Sequence, residues 1–213
     1  MGSYIYEGVN IEYVSHACFR IDTGEVVIYI DPYKIERERN DGDIIVCTHE
    51  HFDHCSPEDI KKVMKESAHI VASVNCKDKV KGLSDNITLL APGDTATVRG
   101  VELIAIPAYN IDKPYHTRDY KGIGVILTVK NVKIYHAGDT DFIPEMKELK
   151  DIDIALLPVS GKYVMNASEA CEAAKVINPK VAIPMHYGVI VGSKSDAEKF
   201  KKCLEGLIKV VIL

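Results

Sequence analysis

Three histidines and two acids fall within six consecutive positions, His49-Glu50-His51-Phe52-Asp53-His54. They come directly after Ile44 to Thr48, a run that reads as a strand buried on both faces. Residues two apart on an extended chain point the same way, so His49 and His51 can present their rings to one metal ion. Asp53 and His54 lie past the turn, where they can reach a second ion. Imidazole and carboxylate ligands suit Zn, Fe or Mn rather than Ca. Two residues after the group, Ser56-Pro57-Glu58-Asp59 reads as a helix start, with a capping Ser, Pro in the first turn and acids behind it.

The elements that must position this group are short. Ile11 to Tyr13, Cys18 to Ile21 and Val26 to Ile30 read as strands broken by Ser15, Thr23 and Gly24. The helix from Ser56 is predicted to run to Lys65. Further strands are expected at Ile70 to Ser73, Val101 to Ile106, Ile123 to Val129 and Val132 to Tyr135, the last two joined by a hairpin turn at Lys130-Asn131. The second half alternates. A short helix is expected over Ile143 to Leu149 and a buried strand over Ile154 to Leu157. A capping box at Asn166 to Glu169 opens a helix to Ile177, stopped by Asn178-Pro179. Val181 to Ile183 reads as a strand, Ser195 to Glu198 as a second capping box for a helix to Leu204, and Val210 to Leu213 as a closing strand. No linker or repeat interrupts residues 1–213, so one α/β domain of layered sheets and helices is expected.

Bulk properties narrow the function classes. Hydrophobic residues make up 46% and charged residues 27%, the composition of a globular protein with a full core. The formal charge of -5 is spread along the chain without a block of Lys and Arg, so no nucleic-acid partner is expected. No apolar run approaches the roughly 20 residues of a spanning helix, so no membrane partner is expected either. The N-terminus lacks the pattern of an export signal, which makes the cytoplasm the expected location. Six cysteines show no C-x-x-C pair. They read as small buried hydrophobes rather than as a disulfide framework, with Cys55, next to His54, the one to watch.

The His-rich segment resembles the H-x-H-x-D-H metal motif of the metallo-β-lactamase superfamily. Other stretches match that family in order: Ile30-Asp31-Pro32, Tyr135-His136-Ala137-Gly138-Asp139-Thr140, and Ile183-Pro184-Met185-His186-Tyr187. Ser15-His16-Ala17, Leu156 to Val159 and Tyr163-Val164-Met165 resemble the subgroup that contains ascorbate-6-phosphate lactonase. The resemblance spans nearly the whole chain. It implies the metallo-β-lactamase fold, a four-layer αββα sandwich. It also implies a site for two divalent ions, Zn first, with Mn, Fe or Ni as alternatives. The implied ligands are His49, His51, Asp53, His54, Asp139 as the bridge, and His186. The family has a further His before the Gly-Asp-Thr turn, often after Pro-Ala. Here Pro107-Ala108 is followed by Tyr109-Asn110, and the next histidine is His116. His116 is expected to return to the first ion as its third ligand, or else to face substrate.

The implied chemistry is metal-dependent hydrolysis, in which a metal-bridging hydroxide attacks a carbonyl or phosphorus. Asp53 would orient the hydroxide and take its proton. Tyr163, Tyr109, Tyr187 or a free His116 would protonate the leaving group. Lys113, Arg118, Lys121 and Lys162 are expected near the site, which favours a small anionic, phosphate-bearing ester, lactone or phosphodiester. A nuclease and a non-catalytic metal-dependent sensor are the alternatives, and self-association into a homo-oligomer stays open. His136 is expected to hydrogen-bond behind the ligands, His16 to lie near the cleft, His69 to be structural, and Glu50 to pack behind the loop.

Overall fold

The computed structural model describes residues 2–213. Strands β1 (Ser3–Tyr6), β2 (Val9–Ser15), β3 (Cys18–Asp22), β4 (Val27–Ile30), β5 (Gly42–Cys47), β6 (Met64–Ser73) and β7 (Ile87–Leu90) form one sheet in sequence order. Strands β8 (Thr95–Val98), β9 (Val101–Pro107), β10 (Ile123–Val129), β11 (Val132–His136), β12 (Ile154–Pro158), β13 (Val181–Met185) and β14 (Lys209–Val210) form a second, also in order. Each sheet begins antiparallel and turns parallel, from β4 onward in the first and from β11 onward in the second. Parallel neighbours need crossovers. Helix α1 (Pro57–Val63) joins β5 to β6, α3 (Ala167–Ile177) joins β12 to β13, and α4 (Lys194–Cys203) joins β13 to β14. A one-turn helix α2 (Lys77–Val80) precedes β7.

The alternation of side chains along β5 shows the layering. Ile44 and Val46 pack between the sheets with Leu103 and Val125. Ile45 and Cys47 pack the other way, against Ile60 and Val63 of α1. Ala170 and Ala174 of α3 and Phe200 of α4 cover the second sheet from outside. The result is the expected four-layer αββα sandwich. Among the described residues, no helix is long and apolar enough to cross a membrane.

Several local expectations are met for the stated reasons. Lys130 and Asn131 both take positive φ (48° and 65°) in the tight turn between β10 and β11, which pair at Val129 and Val132. Asn166 and Glu169 form the capping box of α3, and Asn178 ends it in the left-handed region.

Others differ. α1 stops at Val63 because Met64 is drawn into pairing with β5, where Lys65 also reaches Asp43 at 2.8 Å. The expected helix over 143–149 is a short 3-10 turn, Pro144–Glu148. The second capping box lies two residues early, between Ser193 and Asp196, since Ser193-x-x-Asp196 offers the same reciprocal bonds. Cysteine use is a correction too. Cys171 of α3 and Cys203 of α4 form a disulfide, while Cys18, Cys47, Cys55 and Cys76 are free and buried. The spacing of 32 residues carries no motif, and only the packing of the two helices against each other brings the thiols together.

Candidate metal centre

The carboxyl ends of parallel strands collect at one edge of the sandwich. Asp31 follows β4, the His-rich loop follows β5, Asp139 follows β11, Ser160 follows β12 and His186 follows β13. This edge is where open α/β sheets place ligands, because adjacent chains diverge there. Backbone bonds clamp the two sheets together at this edge. His186 donates its N–H to the His16 carbonyl at 2.7 Å, and Ile123 donates to the Thr48 carbonyl at 3.0 Å. Four residues of the site, His16, Asp31, His116 and His186, hold positive φ between 48° and 62°. Such backbone is unfavourable for a side chain other than Gly and persists where surrounding bonds impose it.

The hydrogen bonds behind the imidazoles decide which nitrogen faces inward. Asp31 is fully buried. Its Oδ2 accepts from the Thr48 hydroxyl and from His54 Nδ1, both at 2.7 Å, while its Oδ1 accepts from the Thr48 N–H. The Thr48 proton is thus committed to Asp31, so His49 Nδ1, 3.0 Å from Thr48 Oγ1, must be the donor of that pair. His186 Nδ1 lies 3.0 Å from Ser160 Oγ, and His116 Nδ1 donates to the Tyr163 carbonyl at 3.2 Å. His49 and His116 therefore turn a bare Nε2 into the site, and His54 and His186 aim their Nε2 atoms at the same place.

Those lone pairs converge. His51 Nδ1 lies 3.1 Å from His49 Nε2 and 3.0 Å from His116 Nε2. A single imidazole proton can satisfy at most one of these contacts, so the trio is mutually repulsive without a cation between its nitrogens. A second group comprises His16, Asp53, His54 and His186, and Asp139 stands among His49, His54, His116 and His186 at 3.2–3.9 Å. The Nε2 atoms of His54 and His186 and Oδ1 of Asp139 are buried without a hydrogen-bond partner. Converging lone pairs and an unpartnered buried carboxylate oxygen suit the binding of divalent metal.

The electrostatics agree. Burial lowers His16, His49, His51 and His116 below the ordinary imidazole range, so these rings are neutral and can act as ligands. Burial also opposes charge on His54, but the carboxylates of Asp139, Asp31 and Asp53 outweigh it and raise that group to about 10. Burial would raise Asp139, yet His186 and His54 hold it well below the usual carboxylate range. This cleft favours positive charge.

All the residues singled out for the metals thus meet at one place, His116 included. The return of His116 depends on Asn110, whose N–H donates to the His116 carbonyl at 2.8 Å and whose side chain donates to the Tyr163 carbonyl at 2.7 Å. Asp141 fixes the same loop by accepting from the Ile111 N–H and pairing with Lys113. His16 is drawn closer than expected, its Nε2 donating to Asp53 Oδ2 at 3.1 Å. Ser160 and Asn110 were missed, and no motif marks them. His136 bonds only backbone: Nε2 donates to the Ala17 carbonyl and Nδ1 accepts from the Gly138 N–H, bracing the turn before Asp139. His69 pairs with Thr88, away from the site.

Some expectations fail. Glu50 is exposed rather than packed behind the loop, because the turn points it outward between two inward histidines. Tyr109 donates its hydroxyl to Glu145 and Tyr187 stacks on Tyr13, so neither phenol serves the cleft. Tyr163 stays at the cleft wall. Arg118 pairs with Glu145 at 2.9 Å and Lys113 with Asp141, while Lys162 lies over the Tyr163 ring. No Lys or Arg lines the cavity.

Comparison with known proteins agrees with this geometry. The Beta-lactamase superfamily domain matches residues 10–186. The chain is 33% identical to a UPF0173 metal-dependent hydrolase of Thermoplasma acidophilum, over 97% of this chain and 95% of that one. It is 35% identical to another of that name from Staphylothermus marinus, over 95% of each. Among solved structures, it resembles Igni18, a metallo hydrolase from Ignicoccus hospitalis, with a TM-score of 0.80, 26% identity, and coverage of 96% and 94%. A Parabacteroides distasonis structure gives a TM-score of 0.84 at 34% identity, with coverage of 99% and 96%.

Proposed function

The chain belongs to the Beta-lactamase superfamily domain family, and from that membership together with its converging imidazoles we propose that it hydrolyses a small ester, lactone or phosphodiester at a two-metal centre. It is a metal-dependent hydrolase, as its relatives are named. The observation that carries the reading is the His49, His51 and His116 trio, whose facing nitrogens call for a cation. His49, His51 and His116 would hold one ion, His54, Asp53 and His186 the other, with Asp139 between them. Bound divalent ions supply Lewis acidity and a hydroxide nucleophile at neutral pH. Zn suits these ligands, and Mn, Fe or Ni are accepted by the same donor set.

The chain's own groups do the rest. Asp53 lies at the cleft surface with one oxygen held by His16, so that its other oxygen would face the second ion and orient the attacking water there. Tyr163 is the one phenol among the three considered that faces the cleft, and is placed to donate a proton to a departing alkoxide. Thr48, Asp31, Ser160 and the Tyr163 carbonyl keep the rings aimed, so little reorganisation precedes reaction. The anionic substrate expected from Lys113 and Arg118 loses its support, because both cations already have carboxylate partners.

The test is to load chelator-stripped protein with Zn or Mn and assay p-nitrophenyl esters, bis-p-nitrophenyl phosphate and a lactone. Metal-dependent turnover of one class identifies the bond. No turnover of any of them, with metal bound, would overturn the reading.

A further inference from the structure

The metal ligands form the floor of a cavity of about 270 Å³, near the small end of ligand pockets, roughly 300–1,000 Å³. Its walls are Phe52, Tyr115, Tyr163 and Ile190. Three of these are large side chains left open to solvent: Phe52 at 61%, Tyr115 at 47% and Ile190 at 41%. Scattered exposed hydrophobes are ordinary, but a cluster around one concave site marks a binding surface.

The walls are tied to the floor by the chain itself. Phe52 sits between His51 and Asp53, and Tyr115 precedes His116, so their backbone is fixed by the ligand geometry. Phe52 is braced edge-on by Tyr33 at 5.8 Å, and Tyr115 meets Tyr163 edge-on at 5.0 Å. Two aromatic pairs thus contribute to the rim of the cavity. Apart from the metal ligands, the lining offers no charged side chain. A second charge on a substrate would lose water there without gaining a counter-ion.

We infer that the cleft selects uncharged substrates carrying one aromatic or short alkyl group beside the bond to be cut. This rests on the hydrolase reading above and specifies its substrate class. Phe52 and Ile190 are the specificity-determining residues, with Tyr115 and Tyr163 completing the apolar lining.

The experiment uses metal-loaded protein and three p-nitrophenyl esters that share a leaving group: acetate, phenylacetate and hydrogen glutarate. The inference expects kcat/KM to rise about tenfold from acetate to phenylacetate, as a pocket gains from an added apolar group. It expects the glutarate ester to fall about tenfold below the phenylacetate, its carboxylate being unpaired. Phe52→Ala should erase most of the phenylacetate advantage with metal content unchanged. Ile190→Lys should improve the glutarate ester. Equal or better hydrolysis of the glutarate ester by the parent, or variants that leave the ranking unmoved, would overturn the inference. Binding provides a readout without turnover: calorimetry should show phenylacetohydroxamate binding more tightly than succinic monohydroxamate. If no ester is cleaved but this order holds, the hydrolase reading fails and the apolar cleft stands. If Phe52→Ala alters sedimentation but not ligand order, the wall is a contact between copies and the inference is wrong.

Discussion

His116 Nε2 faces His51 Nδ1 at 3.0 Å, although 65 residues separate them in the chain. His49 Nε2 completes the group at 3.1 Å from the same His51 nitrogen. No arrangement of imidazole protons satisfies both contacts at once, and a cation satisfies them together. The three rings are thereby placed so that one cation could be shared among them.

It follows that His116→Ala should lower metal occupancy at the first site, with an effect like that of His49→Ala. Competition with a chromogenic chelator measures this. A His116→Ala protein that binds metal as tightly as the parent would place His116 outside the ligand set.

The His16–Asp53 contact separates two roles. Asp53→Ala should cut turnover by three orders of magnitude or more, about 4 kcal/mol of barrier, while circular dichroism stays native. His16→Gln removes only the group that orients Asp53, so metal affinity or rate should fall roughly 10- to 100-fold. Activity of Asp53→Ala within tenfold of the parent would show that this carboxylate is not central.

The disulfide between Cys171 and Cys203 gives a prediction remote from the site. Closing a loop of this size contributes roughly 2–4 kcal/mol. Cys171→Ser should therefore lower the melting temperature by several degrees and leave metal content unchanged. Thermal unfolding with and without reductant checks it. An unchanged melting temperature would mean that the bond adds nothing to the native fold.

Much of this was legible in the sequence, and the boundary has physical causes. β5 announced itself because both its faces are buried, so its residues are apolar without alternation. α3 was readable from its two caps. β1, β7 and β8 were not, because they are four-residue strands whose side chains are largely half-exposed, and only pairing makes them strands. At the site, the run from His49 to His54 is local and therefore visible. The position of His116 is not local. It depends on Asp141 holding Ile111 and Lys113, 30 and 28 residues away, and on Asn110 and His116 both bonding the Tyr163 carbonyl, 53 and 47 residues away. Charge was misjudged for the same reason: Arg118 and Lys113 read as free cations until the fold supplied Glu145 and Asp141.

We propose that these side chains would hold two divalent ions, with Asp139 between them. Elemental analysis of protein purified without chelator, then re-equilibrated with Zn, tests it most directly. The account predicts about two ions per chain, falling toward one in His116→Ala. A protein that carries no metal and takes up none on addition would contradict it.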